Sequence, residues 1–212
     1  MSNVIQQITS TIFKQKMFFQ MKNIINNRGL LLLLGLLLSS TQVLFSQSYK
    51  LNSEKSTMTV SGTSSLHDWV SKVEKITGYG SIAMENSEII DISDLQIIVV
   101  VQSIKSGKGG MDSKTYEALK EKEYPEIKYT LISTNKKSSN SISTKGNLTI
   151  AGKTKSVDVE IKYQNLSTSI SFTGDIQIKM SEYDIKPPTA MMGTIKTGDE
   201  ITVTFTVLFT KS

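Results

Sequence analysis

Three successive segments of the chain alternate apolar and polar residues with a strict period of two: 141–150, 156–163 and 170–180. Such alternation is typical of β-strands that bury one face and expose the other. Ala151-Gly152-Lys153 joins the first two segments, so they predict an antiparallel hairpin, and the third follows after a polar turn. A shift of one residue would turn every apolar side chain into water, so the register of these strands is fixed.

The first 46 residues have the composition of a secretory signal peptide. Four basic residues precede the apolar run 30–38, and small polar residues follow it up to Ser46. The alternative is a membrane anchor, but this run falls well short of the roughly 20 residues that a helix needs to span a bilayer. We therefore expect cleavage just after Ser46 and a single domain over 47–212, which is periplasmic or secreted and does not span the membrane. A leader that starts at Met21 would have more usual proportions.

The basic character of the chain comes from this leader. The whole sequence has 24 basic and 19 acidic residues, and four of the basic ones, but none of the acidic ones, lie before residue 47. The remainder therefore has 20 basic and 19 acidic residues, a net charge of +1, which does not favour nucleic-acid binding. Without cysteine there is no disulfide and no site for lipid attachment, so burial alone must stabilise the domain.

Most of the remaining sequence also predicts strands. These lie over 56–61, 76–84, 89–102, 127–131 and 201–209. The long apolar stretch 89–102 is expected to be covered on both sides or bulged near Ser93-Asp94. One short helix is predicted over 111–123, with a cap at Asp112 or Ser113 and an end set by Pro125. About eight antiparallel strands indicate an all-β barrel or sandwich, and a barrel would leave no exposed edge.

Several short motifs stand out by their order and spacing. They are GTSSLHDW at 62–69, MD at 111–112 with YEALK at 116–120, YPEIKY at 124–129, GNLTIAGKTK at 146–155 and GDEI at 198–201. Together they resemble the YceI-like family of exported proteins over about residues 48–210. The resemblance implies a lipocalin-like barrel of about eight antiparallel strands with one short helix, which binds polyisoprenoids or other long-chain amphiphiles. It supplies no catalytic residue, and the segment 186–196 departs from the pattern of most members.

The residues themselves offer no catalytic or metal site. The chain has one histidine, no cysteine, no Gly-x-Ser-x-Gly motif, no phosphate-binding loop and no metal-ligand spacing. We therefore expect no enzyme activity, no metal and no cofactor. His67, beside Asp68 and Trp69, is interpreted as a loop histidine that hydrogen-bonds neighbouring backbone, while Trp69 caps one end of the barrel. Contact between His67 and a ligand headgroup is the alternative.

Inward-facing apolar residues can fill a solid core or line a binding cavity. The alternation alone favours a core, whereas the resemblance implies a cavity for an isoprenoid or fatty-acid-like chain. Strands of about ten residues would form a tube on the order of 30 Å long, which suits such a chain. The candidate cavity-lining residues are Leu148, Ile150, Val159, Ile161, Phe172, Ile176, Ile178, Met180, Val203, Phe205 and Val207. The candidate mouth residues are His67, Trp69, Met191 and Met192, the methionines because flexible thioethers adapt to apolar ligands.

Two other functions compete with a lipid-binding barrel. One is an exported interaction module with a solid core, which would bind a protein or a glycan through its loops. The other, an outer-membrane barrel, is disfavoured because the outward faces carry Ser, Thr, Lys, Asp and Glu. The sequence leaves the ligand and the oligomeric state open, with a homodimer as one option.

Overall fold

The computed structural model describes residues 13–20, 22 and 46–212. The chain separates into two units between Leu44 and Phe45. In the first unit, residues 13–20 and 22 are helical and exposed. The apolar run 30–38 lies outside the described residues, so cleavage after Ser46 stays a prediction. None of the helices in the described ranges has both the length and the apolar character needed to cross a bilayer.

In residues 46–212, eight antiparallel strands close into a barrel, which confirms the predicted fold class. The strands of this unit, in chain order, are β1 (Gln47–Ser64), β2 (Trp69–Val73), β3 (Ile76–Glu85), β4 (Glu88–Val100), β5 (Ile104–Lys105), β6 (Glu126–Ser138), β7 (Ser141–Ile150), β8 (Lys153–Asn165), β9 (Ser169–Lys179), β10 (Thr189–Ala190) and β11 (Ile195–Lys211). The barrel order is β11-β9-β8-β7-β6-β4-β3-β1, and pairing of β11 with β1 closes it. The short strands β2, β5 and β10 extend the sheet beside β1 and β11.

Local turn chemistry sets the register of the predicted hairpin. Strand β7 has the predicted bounds, and Ile150 pairs with Lys153 across a two-residue turn. Both turn residues, Ala151 and Gly152, have positive φ angles, of 48° and 80°. Such turns twist in the same sense as the strands they join. Of the two alternatives predicted for the long apolar strand, cover on both sides or a bulge near Ser93-Asp94, the structure shows the bulge, because the β3–β4 register shifts next to Asp94, whose φ is 51°.

The predicted helix exists, but its bounds and its cap were wrong. Helix α1 spans Gly109–Ala118, and its N-cap residue, Lys108, makes no side-chain capping bond. Asp112 lies within the first turn, where its Oδ1 accepts hydrogen bonds from the Ser106 amide at 2.8 Å and hydroxyl at 2.5 Å. The helix ends well before Pro125, because Lys120 adopts a positive φ of 53°. The amides of Lys120 and Glu121 then donate to the last-turn carbonyls of Glu117 and Tyr116, as in a Schellman motif.

The interior of the barrel has two different halves. At the end that holds the start of β1 and the end of β11, large side chains fill it completely, and we call this the solid half. Tyr49, Ile82, Ile170 and Phe209 are each at most 1% exposed. Phe172 packs edge-on against Phe209, with ring centroids 5.8 Å apart. Toward the other end, the hollow half, ten inward apolar residues are only half-buried although strands surround them: Met58, Val60, Leu95, Ile97, Ile127, Tyr129, Ile176, Ile201, Val203 and Phe205.

Candidate functional site

The hollow half contains a cavity of about 500 Å³. This volume lies within the range of roughly 300–1,000 Å³ that is usual for small-molecule sites. Its floor, which faces the solid half, is formed by Phe172, Val207 and Phe209. Its mouth is formed by the β1–β2 loop with Leu66 and His67, by the start of α1, and by the segment 188–190. The cavity is therefore a blind tube, since the solid half closes its inner end.

The walls consist of inward-facing aliphatic and aromatic side chains from neighbouring strands. The register places Val60, Val203 and Ile176 side by side on β1, β11 and β9. Phe205 lies across Gly174 of β9, where an added Cβ would come within 2.9 Å of the Phe205 ring carbon Cζ. The glycine thus makes room for the aromatic ring.

All eleven residues predicted to line a cavity lie along this one. They are Leu148, Ile150, Val159, Ile161, Phe172, Ile176, Ile178, Met180, Val203, Phe205 and Val207. The alternation placed them on the inward face, and barrel closure brings them together. That they bind a ligand stays a prediction.

One polar pair in the cavity wall satisfies its own hydrogen bonds. The Tyr129 hydroxyl donates to Thr144 Oγ1 at 3.1 Å, and Thr144 Oγ1 donates to the Val159 carbonyl, also at 3.1 Å. The Tyr129 ring packs directly against Gly146, which has no Cβ to obstruct it. Burial raises the pKa of Tyr129, so its hydroxyl remains protonated at neutral pH.

A second tyrosine near the mouth end has no such partner. Tyr183 closes the 3-10 segment Met180–Tyr183 that follows β9, and it lines the cavity while only 2% exposed. Within the described ranges, its hydroxyl is the one fully buried side-chain polar atom that forms no hydrogen bond. Burial, together with the neighbouring Glu182, raises the pKa of Tyr183 to about 12.

The mouth contains two of the four predicted mouth residues. His67 and Trp69 both line the cavity. His67 Nδ1 lies 2.7 Å from the Asp68 carbonyl oxygen, the kind of backbone contact that the sequence interpretation expected. The Trp69 indole lies against Gly62, and its Nε1 donates to the Thr63 carbonyl at 3.1 Å. Trp69 therefore forms part of the rim in a fixed orientation.

Met191 and Met192, the other two predicted mouth residues, do not line the cavity. Met191 is 74% exposed and Met192 fully exposed. Both have positive φ angles, of 50° and 57°, inside the tight segment Met191–Gly193. This local turn directs the pair away from the tube, while the preceding Ala190 lines it.

Sequence reasoning missed several lining residues. Met58, Val60, Leu95 and Ile97 follow the same alternation as the predicted set, so the pattern could have identified them. Helix α1 lines the cavity with Met111, Thr115 and Ala118, and its C-cap residue Leu119 lines it too. The predicted helix contained these residues, but nothing in the sequence assigned them to a cavity. Tyr183 carried no signal either, because only the tertiary fold isolates its hydroxyl.

The described part of the chain holds no group of three His, Asp or Glu side chains close enough together to bind a metal ion. The polar groups that face the cavity are hydroxyls, together with His67 and lysines at the mouth. Such an arrangement can orient a bound amphiphile by hydrogen bonds while apolar walls enclose its chain.

Comparisons with known proteins point to one family. A family model described as YceI-like domain matches residues 49–209. Similar solved structures include Burkholderia cenocepacia BcnA, with a TM-score of 0.64 and 18% identity over 74% of this chain and 98% of that chain. A polyisoprenoid binding domain from Saccharophagus degradans, implicated in plant cell wall breakdown, has a TM-score of 0.62 and 13% identity over 78% of this chain and 99% of that one.

A third similar structure is the YceI protein of Campylobacter jejuni, with a TM-score of 0.56 and 17% identity, covering 67% of this chain and 84% of that chain. No curated protein matches the sequence. At these identities the likeness to solved structures establishes the fold.

Proposed function

This chain belongs to the YceI-like domain family, and from that premise we propose that it is a non-catalytic exported protein that holds a long-chain amphiphilic lipid in its barrel. The ligand class is a polyisoprenoid, an isoprenoid quinone or a fatty-acid-like chain. The observation that carries this proposal is the blind, apolar cavity in the hollow half, about 500 Å³ in volume. The printed description of the Saccharophagus degradans structure as a polyisoprenoid binding domain supports the same ligand class.

The apolar walls supply the affinity. Burial of on the order of 500 Å² of ligand surface at roughly 25 cal/mol per Å² contributes about 12 kcal/mol. Loss of translational freedom and ordering of the chain cost at least about 4 kcal/mol of this. The remaining ~8 kcal/mol corresponds to binding in the micromolar range.

The proposed location is the periplasm or the medium. It rests on the order of basic residues, apolar run and small polar residues before Gln47. An exported, water-accessible protein that encloses an apolar chain would carry it between membranes or away from them. The competing function, an interaction module that works through its loops, assumed a solid core, and only one half of this barrel is filled.

Native mass spectrometry tests the proposal. The protein is expressed with its leader, recovered from the periplasm, and sprayed under gentle conditions before and after organic extraction. We expect an adduct with the mass of a long-chain amphiphile that the extraction removes. A protein that is free of adduct, and that takes up neither isoprenoid nor fatty-acid probes at micromolar concentration, would contradict the function proposed.

A further inference from the structure

Three apolar side chains at the mouth of the barrel are turned out to solvent. Met192, Met191 and Leu66 are the three most exposed large hydrophobic residues within 46–212. Leu66 lies in the β1–β2 loop, and the two methionines lie in the turn between β10 and β11. We call these three residues the apolar tip. Single exposed apolar residues are normal, but a group of them at the rim of a cavity marks a surface that meets an apolar partner.

Hydrogen bonds hold the two loops of the apolar tip side by side. The Ser65 amide donates to the Lys196 carbonyl at 2.9 Å, and the Lys196 amide donates to Ser65 Oγ at 3.1 Å. Strands β10 and β11 pair up to Ile195, so residues 191–194 form the turn of a hairpin. Since Ser65 directly precedes Leu66, the leucine and the methionine turn belong to one part of the rim.

The backbone of the turn keeps the methionines exposed. Met191 and Met192 both have a left-handed conformation, which is uncommon for residues other than glycine, asparagine and aspartate. Gly193 has no atom within 4 Å of the position that a Cβ would take, so open space surrounds the turn. Two long apolar side chains are thus directed outward by an unfavourable backbone conformation. An apolar surface outside the protein would give them contacts that the barrel does not.

The mouth also carries the positive charge of the domain. Its segments, 64–69, 105–118 and 186–197, contain five lysines and three acidic residues, a net charge of +2. The rest of the domain, with 15 basic and 16 acidic residues, has a net charge of −1. Lys186 and Lys196 flank the methionines and are exposed, and in the described part of the chain neither forms an ion pair. Such lysines beside an apolar tip complement an anionic lipid surface.

We propose that the apolar tip docks the mouth of the barrel on an anionic lipid bilayer. The side chains of the tip enter the boundary between headgroups and acyl chains, while Lys186 and Lys196 remain at the level of the lipid phosphates. Pro188, Thr189 and Ala190, which directly precede the methionines, line the cavity. Docking by this rim would therefore place the open end of the tube against the bilayer. The inference goes beyond the proposed function and does not require an occupied tube.

The shape of the tip favours a bilayer over a protein partner. A protein interface needs a packed, complementary surface around each buried side chain. The tip offers flexible thioethers on a projecting turn instead, and a fluid acyl layer accepts such side chains without a matching pocket.

Vesicle flotation tests the proposal with protein that is expressed with its leader and recovered from the periplasm. One set of vesicles is phosphatidylcholine, and the other contains equal parts of phosphatidylcholine and phosphatidylglycerol. At low salt we expect about tenfold stronger binding to the anionic vesicles, and added salt should reduce this difference. Lipids with brominated acyl chains should quench Trp69, the only tryptophan, because it lies at the rim that meets the bilayer.

Substitutions in the tip should weaken this binding without changing the barrel. Met191→Asn/Met192→Asn should lower it about tenfold or more, and asparagine accepts the left-handed backbone of the turn. Because neither methionine lines the cavity, this variant should keep the amphiphile adduct in native mass spectra. Lys186→Gln/Lys196→Gln should remove most of the preference for anionic vesicles.

Two leucines give a matched pair of controls. Leu66 lies in the tip, whereas Leu166, which is also exposed, lies in the β8–β9 turn at the end of the solid half. Leu66→Ser should weaken vesicle binding severalfold, and Leu166→Ser should leave it unchanged. This comparison keeps the proposal testable if the double methionine variant folds poorly.

Each outcome either supports or overturns the docking surface. Wild type that does not float with anionic vesicles at low salt would overturn it, would favour a protein partner for the tip, and would leave the lipid-binding barrel intact. Flotation that survives the methionine and Leu66 substitutions, or that leaves Trp69 unquenched, would show that another part of the chain binds the vesicles. Flotation of a protein that carries no adduct would support the docking surface and contradict the proposed function alone.

Discussion

Two tryptophan substitutions on one strand test the division of the barrel into a solid and a hollow half. Ile170 and Ile176 are the same residue type on the same face of β9, six positions apart. Ile170 is 1% exposed, pairs with Phe209 and lies in the solid half. Ile176 is half-buried, pairs with Val203 and lines the cavity. The alternation in the sequence therefore does not distinguish these two residues, but their surroundings in the barrel interior differ.

The two substitutions are expected to change the free energy of unfolding by different amounts. At Ile170 an indole would overpack a filled interior and destabilise the protein by about 1–3 kcal/mol. At Ile176 the indole can extend into the cavity, and about 60 Å² of newly buried apolar surface contributes about 1.5 kcal/mol, which offsets the lost isoleucine contacts. For a domain of this size, 1 kcal/mol shifts the melting temperature by about 2–4 °C. Ile170→Trp should therefore melt several degrees below wild type, and Ile176→Trp close to it.

The assay is thermal unfolding of lipid-free protein, combined with native mass spectrometry of protein purified without extraction. Ile176→Trp should purify folded but without the amphiphile adduct, because the indole occupies the space of the chain. Ile170→Trp, where it folds, should keep the adduct. Equal melting temperatures for the two variants would refute the division of the interior. An Ile176→Trp protein with lipid at wild-type occupancy would refute the assignment of this wall to the ligand.

Three further predictions concern other parts of the chain. The mature protein should begin near Gln47, which the intact mass of protein recovered from the periplasm measures; protein that keeps the 30–38 run and is found in a membrane fraction would mean that this run is an anchor. His67→Ala should change ligand affinity less than tenfold, because the His67 ring contacts the Asp68 backbone carbonyl. A larger loss of affinity in probe titrations would show that His67 contacts the ligand. Between pH 10 and pH 12 the free energy of unfolding of wild type should fall by on the order of 1–2 kcal/mol more than that of Tyr183→Phe, because the pKa of Tyr183 is about 12 in the folded state and about 10 in the unfolded state, so the folded state holds this proton more tightly. Denaturant titrations of both proteins at both pH values measure this difference, and an equal loss in the two proteins would contradict the prediction.

The sequence predicted the hairpins because their signals are local. Alternation decides which side chains face inward, and the Ala151-Gly152 turn decides which residues pair, so the bounds of β7 follow without any knowledge of the rest of the fold. The helix was predicted less well, since its end depends on a left-handed Lys120 rather than on the expected glycine or proline. Left-handed residues at the ends of helices are usually glycine or asparagine, so the sequence did not predict that Lys120 would end this helix.

The boundary between core and cavity could not be predicted, because it depends on side chains that are distant in sequence. Whether an inward residue is enclosed depends on what projects from the opposite wall. Around Ile170 the barrel is filled by Tyr49, Phe172 and Phe209, contributed by the first, ninth and last strands. Around Ile176 the neighbouring inward side chains, such as Val203 and Tyr129, are only half-buried, and space remains. The same reasoning explains why Tyr183 was missed, since its isolation is created by the tertiary fold.

The blind end of the tube bears on how a ligand held as proposed would be oriented. If the polar end entered first, it would meet Phe172 and Phe209 at the floor, where it would find no hydrogen-bond partner. Burying an unpaired carbonyl or hydroxyl in such surroundings costs roughly 2–7 kcal/mol, a large part of the ~8 kcal/mol available for binding. If the apolar tail enters first, it packs against the aromatic floor while the polar end stays near the mouth, within the part of the wall that carries Tyr183. Under the proposed function, the solid half would therefore do more than stabilise the fold, because by closing one end of the barrel it would select the direction in which an amphiphile binds.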